Sequence, residues 1–312
     1  MNTKRFLFSI LVFLSLGLTG LGASASVEVR PIRIAIMPDA DSLPFMLAQA
    51  DNLFGSEGVA VELVPFQSPV ERDAAFQAGR IDGMVGDTLG ALFLEQAGFD
   101  ITITSVTNGR YGLAASPEST LTSLAQLGDI PIAISSNTII EYVAEALVAS
   151  AGVSPTRFKT IAVPKIPVRI ELLLNGGIGA ACLPEPNYTL AVAKGARPLG
   201  DSGALYDAPG VMIFAASFVG QRSTSLAAFY RAYWKAAQNI NADPDKYRSF
   251  LIEKAGFPEA VRETYRFVTY TPPSVPSEDQ VQRVVDWMVG KKLLDTVPAY
   301  ADLVDDSIVT GL

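Results

Sequence analysis

The 312-residue chain has no histidine. That absence removes Ser-His-Asp and Cys-His activation of a nucleophile, imidazole general-base catalysis and most catalytic zinc sites. There is one cysteine, Cys182. It can form no internal disulfide, and zinc-finger and iron–sulfur ligand sets are excluded with it. No cofactor and no metal are expected, and an enzyme starts at a disadvantage. Stability must come from a core, and a chain of roughly 290 residues beyond the leader is long enough for two domains.

Long apolar runs are scarce too. The one candidate, Phe6 to Leu16, is too short for a membrane span and has the layout of an export leader. Lys4-Arg5 precedes it, and Ala23-Ser24-Ala25 offers a small-x-small cleavage site. Cleavage after Ala25 is expected, giving a soluble periplasmic protein. Cys182 lies far from the leader, so the protein is not a lipoprotein. Positive charge is also in short supply: beyond Ala25 the chain carries 22 basic and 32 acidic residues, a formal charge of −10. Such a balance argues against nucleic acid or anionic lipid as partner.

What is present is alternation. Ile32 to Met37 reads as a strand. Leu43, Met46, Leu47, Ala50 and Phe54 recur at helical spacing. Then come a strand over Val59 to Phe66, a helix opened by Ser68-Pro69, a strand over Ile81 to Val85, a helix over Thr88 to Ala97 and a strand over Ile101 to Val106. Gly109 to Ala115 is a candidate crossing between two lobes. A second run follows: a strand over Ile130 to Ile134, a helix capped by Ser135 to Thr138, a strand over Thr160 to Val163 and a helix over Pro167 to Leu174. Val211 to Ala216 looks like a return strand, and the tail is mostly helical. The fold class is α/β: two lobes with mainly parallel sheets and helices on both faces. The expected division is 1–25 leader, 26–112 and 209–312 first lobe, 113–208 second lobe.

One unit occurs twice. Gly79 to Gly98 (GRIDGMVGDTLGALFLEQAG) and Gly176 to Gly195 (GGIGAACLPEPNYTLAVAKG) both place Ile third, then a strand of small residues, a polar break, a helix and a closing Gly. Ligands of parallel sheets bind beyond the carboxyl ends of strands, where helix N-termini present free N–H groups. Four such junctions carry polar groups: Asp41-Ser42, Asp87-Thr88, Ser135-Ser136-Asn137-Thr138 and Glu185. Pro184 and Pro186 would hold Glu185 rigidly, its side chain turned to a ligand.

The strand IRIAIMP, the stretch FQAGRIDGMVGD and above all LLLNGGIGAACLPEPNYTLAVAKGARPLGDS resemble the NMT1/THI5-like solute-binding proteins of ABC importers. The resemblance implies a type 2 periplasmic-binding-protein fold, hinge closure on one small molecule, and docking on an ABC permease with its ATPase at the inner membrane. It implies contacts from Asp41, Ser42, Leu43, Gly86, Asp87, Thr88, Ser135, Ser136, Asn137, Thr138 and Glu185. A fungal pyrimidine synthase of the group relies on a histidine and a cysteine-rich motif that this chain lacks. The protein is expected to be a monomer.

The carboxylates favour a heteroaromatic or amino-bearing, thiamine-pyrimidine-like solute, with Tyr188, Tyr111 and Phe45 as candidate stacking partners. A small anion such as a sulfonate or taurine, held at the hydroxyl-rich Ser135 to Thr138, is the alternative. An enzyme or a sensor on the same fold is a further one. Whether Lys165 and Arg169 reach the cleft stays open.

Overall fold

The computed structural model describes residues 30–154, 157–205 and 209–312. The expected leader and its cleavage site lie outside them. The first run comprises β1 (Ile32–Ile36), α1 (Leu43–Ala50), α2 (Leu53–Ser56), β2 (Val61–Pro65), α3 (Pro69–Gln77), β3 (Gly83–Asp87), α4 (Thr88–Gln96) and β4 (Ile101–Val106). The second comprises β5 (Tyr111–Ala115), β6 (Ile132–Ile134), α5 (Ile139–Ser150), β7 (Thr160–Ala162), α6 (Ile166–Leu174), β8 (Ala180–Pro184), α7 (Asn187–Ala193) and β9 (Arg197–Asp201). The chain then returns through β10 (Gly210–Ala215) to α8 (Ala216–Ala242), α9 (Arg248–Glu253), α10 (Glu278–Gly290) and α11 (Tyr300–Leu303).

Two five-stranded sheets result, ordered β2-β1-β3-β10-β4 and β7-β6-β8-β5-β9. β1 is parallel to β2 and β3, and β6 to β7 and β8. β10 is antiparallel to β3 and β4, and β5 to β8 and β9. In each sheet four strands therefore run one way and one opposes them. The opposed strand is the one the chain enters by crossing from the other sheet. The carboxyl ends of β1 and β3 in one lobe, and of β6 and β8 in the other, are thereby left for the cleft.

Two strands escaped the sequence reading. β5 (YGLAA) was expected only as a crossing segment, and β9 (RPLGD) had no assignment. Small residues, Gly and Pro carry little strand propensity. β9 tolerates Pro198 because it lies at the sheet edge. The helical spacing from Leu43 to Phe54 is divided in two, because Asn52 takes a left-handed conformation at φ 54° between α1 and α2.

The apolar stripe of α8 forms the core of the first lobe. Phe229 is fully buried and stacks on Phe45 at 5.3 Å and Phe54 at 5.5 Å, and meets Phe214 edge-on. This knot joins α1, α2, α8 and β10. Val281, Val284, Val285 and Met288 of α10 are buried in a second cluster with Leu89 and Leu92 of α4. Phe229→Ala is expected to destabilise the protein by about 3–5 kcal/mol, read as a lowered urea midpoint with an unchanged slope.

Candidate functional site

The four junctions converge. Met37, Asp39 and Asp41 after β1, Val85, Gly86 and Asp87 of β3, Ser135, Ile139 and Ile140 between β6 and α5, and Pro184 of β8 all line one cavity. Pro69 and Arg72 of α3, Ile166 of α6 and Tyr111 of β5 complete it. It offers about 40 Å³ of water-accessible space, room for a few water molecules. The cleft is drawn together.

Asp41 closes the floor. Its Oδ1 accepts from Thr107 Oγ1 at 2.6 Å and its Oδ2 from the Tyr111 hydroxyl at 2.8 Å. Both donors belong to the passage from β4 to β5. Asp39 sits beside it and caps the next turn, Oδ1 accepting from the Ser42 N–H at 3.0 Å. Burial, with the charge of Asp41 added, pushes Asp39 up to about 7. Burial also raises Asp41 above the ordinary carboxylate range, against the bonds from Thr107 and Tyr111.

Asp87 joins the two lobes. Its Oδ1 accepts from the Gly90 N–H at 2.8 Å, which caps α4. Its Oδ2 accepts from the Ile139 N–H at 3.3 Å, the first turn of α5. Arg72, also buried, donates from Nε to Asp73 at 2.8 Å and from Nη1 to the Val85 carbonyl at 2.9 Å. Its Nη2 is buried and has no hydrogen-bond partner in the protein. Burial alone would lower the pKa of Arg72, but Asp73, Asp87 and Asp39 outweigh it and hold the guanidinium charged.

The repeated unit extends further than its sequence match. Ninety-seven residues separate Gly79 from Gly176, and the same spacing takes Arg72 to Arg169 and Val85 to Cys182. Arg169 is fully buried, and its Nη1 donates to the Cys182 carbonyl at 2.8 Å, as Arg72 does to Val85. The ladders match as well: Ile34 faces Gly83 and Ile132 faces Ala180. Three residues on, Met37 corresponds to Ser135. Arg169 Nη2 donates to Ser135 Oγ. Arg72 meets Met37 there instead, and a thioether is a poor acceptor. Two further replacements separate the halves: Asp87 stands where the second lobe has Pro184, and Asp73 where it has Ile170. Without those acids, burial takes Arg169 down to about 10. Arg169 thus stands behind the cleft rather than at the surface.

Of the other expected contacts, Ser42 is buried behind the floor, its Oγ accepting from the Met37 N–H at 3.1 Å. Leu43 is core. Thr88 faces away, its Oγ1 donating to the Pro209 carbonyl at 3.3 Å. Ser136 and Asn137 are exposed, and Thr138 caps α5 through the Ile140 N–H at 3.2 Å. Glu185 is buried but directs both oxygens to Thr189, accepting from its N–H at 3.0 Å and its hydroxyl at 2.9 Å. The two prolines therefore hold the carboxylate against α7, and burial raises its pKa. Tyr188 packs over Gly112, where a Cβ would collide with its ring. Phe45 lies in the aromatic knot of the core. Lys165 is half-exposed and pairs with Glu71 across the cleft mouth at 2.9 Å. Cys182 is buried in β8, its thiol pushed up to about 12.

Sequence reasoning overlooked Asp39, Arg72, Pro69 and Ile166. Arg72 had one available signal, the spacing of 97 residues that pairs it with Arg169. On the rim opposite Lys165, Lys291 beyond α10 reaches Glu141 at 2.8 Å and Glu145 at 2.7 Å on α5. Trp287 Nε1 donates to Glu145 at 3.1 Å.

Two α/β lobes, each crossed by one reversed strand and joined over a shared cleft, define the periplasmic-binding-protein fold. The chain belongs to the NMT1-like family, which it matches over residues 25–251. Among solved structures, it resembles the ligand-binding component of an ABC-type import system from Staphylococcus aureus with zinc bound. The two share 18% identity with a TM-score of 0.79, over 91% of this chain and 99% of that one. It resembles the alkanesulfonate-binding protein SsuA of Xanthomonas axonopodis pv. citri bound to MOPS, at 20% identity and a TM-score of 0.76, over 90% and 100%. The nitrate-binding protein NrtA of Synechocystis PCC 6803 aligns at 16% identity and a TM-score of 0.71, over 90% and 87%. No curated protein sequence matches the chain.

Two outcomes follow from these contacts. A carboxyl whose pKa rises from 3.8 to about 7 on folding binds protons more tightly in the folded state. Its contribution to stability is full at the acid end and is lost as pH rises toward 7. Asp39→Asn should therefore flatten the fall in stability between pH 4 and pH 7, measured by urea unfolding across that range. Glu185→Ala should cost about 1–2 kcal/mol of stability, since two partly buried donors of Thr189 lose their acceptor, while solute affinity is unchanged by titration calorimetry.

Proposed function

We propose that the protein is the exported solute-binding component of an ABC importer. It captures one small amino-bearing solute between its lobes and presents the closed form to a permease and its ATPase. One observation carries the reading: a buried cleft between two lobes, lined by Asp39, Asp41 and Asp87 around a single guanidinium. Three carboxylates against one cation favour a solute that donates hydrogen bonds or carries positive charge. Shape selection falls to Met37, Val85, Ile139, Ile140 and Ile166, which are aliphatic. Of the three expected stacking residues, Tyr111 alone lines the cavity, so the amino group carries more of the argument than the ring.

The lobes, 26–112 with 209–312 and 113–208, would move about the two crossing segments. Lys291 on one rim and Lys165 on the other support the closed form. Binding rather than turnover fits the buried, weakly acidic Cys182 and the absence of histidine. The protein would act as a periplasmic monomer.

A second reading, a small anion such as a sulfonate or taurine, has its own support: Arg72 Nη2 lacks an acceptor. The relatives that bind alkanesulfonate and nitrate fit it too.

Native mass spectrometry of protein purified from its host tests the proposal. We expect one small-molecule mass per chain, and we expect it to bind stoichiometrically and unchanged when added back. Arg72→Gln should weaken that binding about tenfold or more. Turnover of the solute, or full affinity in Arg72→Gln, would overturn the reading.

A further inference from the structure

The two readings of the cleft differ in the sign of the charge they admit, and Asp87 bears on that choice. An anion in this cleft would be expected where positive potential is greatest. That place lies between the N-termini of α4 and α5, which approach from opposite lobes, and beside Arg72. The carboxylate of Asp87 already occupies it. One oxygen takes the Gly90 N–H of α4 at 2.8 Å and the other takes the Ile139 N–H of α5 at 3.3 Å. Both helices are long enough for a developed terminal field, at 9 and 12 residues. Arg72 lines the same cavity, and its Nη2 is buried without an acceptor in the protein, near Gly90 at the start of α4. The second lobe supplies the internal comparison: its equivalent arginine, Arg169, has Ser135 as acceptor and no acid at the position of Asp87, which is Pro184 there.

We propose that Asp87 is a tethered anion. It fills the anion position of the cleft, bonds the two lobes when they close, and makes the wild-type protein reject anionic solutes. This inference rests on the cleft being the solute site, as proposed above. It assigns the free Arg72 N–H to a neutral acceptor on the solute, such as a carbonyl oxygen or a ring nitrogen, because Asp87 and Asp73 already balance the guanidinium charge.

The test is a gain of binding. Sodium methanesulfonate is titrated calorimetrically into wild type, Asp87→Ser and Asp87→Asn, at constant ionic strength. Serine caps a helix about as well as aspartate, so α4 keeps its start. Asparagine keeps the shape and removes only the charge, and circular dichroism checks that each variant is folded. We expect no measurable binding to wild type and an affinity at least about tenfold higher in a folded variant. Adding Arg72→Gln to that variant should abolish the gain. Equal binding by wild type would overturn the tethered anion and favour the anionic reading of the cleft. Failure of both variants to bind, or binding that survives Arg72→Gln, would also overturn it. None of these results touches the reading that the cleft is the solute site, which is decided by the solute retained from the host.

Discussion

A single buried carboxylate ties this molecule together. Asp41 leaves the end of β1 and is held by Thr107 and Tyr111, which flank the first crossing between lobes. The second crossing meets it as well. A Cβ on Gly109 would collide with Asp41, and one on Gly210, the first residue of β10, would crowd both Thr107 and Asp41. The two passages of chain between lobes therefore run close together over one acid. Burial of an acid is unfavourable unless donors surround it. Here the donors come from segments that topology must bring together in any case. Glu185 adds a backbone tie at the same place, donating its N–H to Arg110 at 2.7 Å and accepting from Ala40 at 2.6 Å.

Around that floor the two lobes are near-copies with different chemistry. Both sheets use the same strand order, both bury an arginine that binds a carbonyl of the central strand, and both close the unit with a glycine at positive φ, Gly98 and Gly195. The second lobe is internally satisfied: Arg169 has four acceptors, including Ser135. The first lobe is not, since Met37 replaces the hydroxyl and acids surround Arg72. The asymmetry gives one lobe the unsatisfied hydrogen-bonding capacity and leaves the other as a packed wall. Closure then places that capacity against the N-terminus of α5.

The rims follow a different rule from the floor. Lys165 and Glu71 are half-exposed, and such pairs contribute little in water. Lys291 is more enclosed, lying 4.4 Å from the Trp287 ring centre and between two carboxylates. Contacts of that kind bias an opening equilibrium without fixing it, which fits the hinge movement proposed above.

Periodicity alone settled much of the architecture: the alternation, the repeated strand–turn–helix unit, the amphipathic stripes of α8 and α10 and the polar strand ends were all legible along the chain. These features are local, because a helix or strand announces its buried face within a dozen residues. The strands β5 and β9 were not legible, because their small residues, Gly and Pro become strands only when neighbouring strands supply the ladder. Nor were the roles of the acids. Asp87 ends β3 and Glu185 stands one place further along the repeated unit, just after β8, yet Glu185 turns back on Thr189 and Asp87 reaches across to Ile139. Which way a side chain faces at a strand end depends on what stands opposite it. For Asp87 that partner is Ile139 in the other lobe, brought near only when the whole chain has folded.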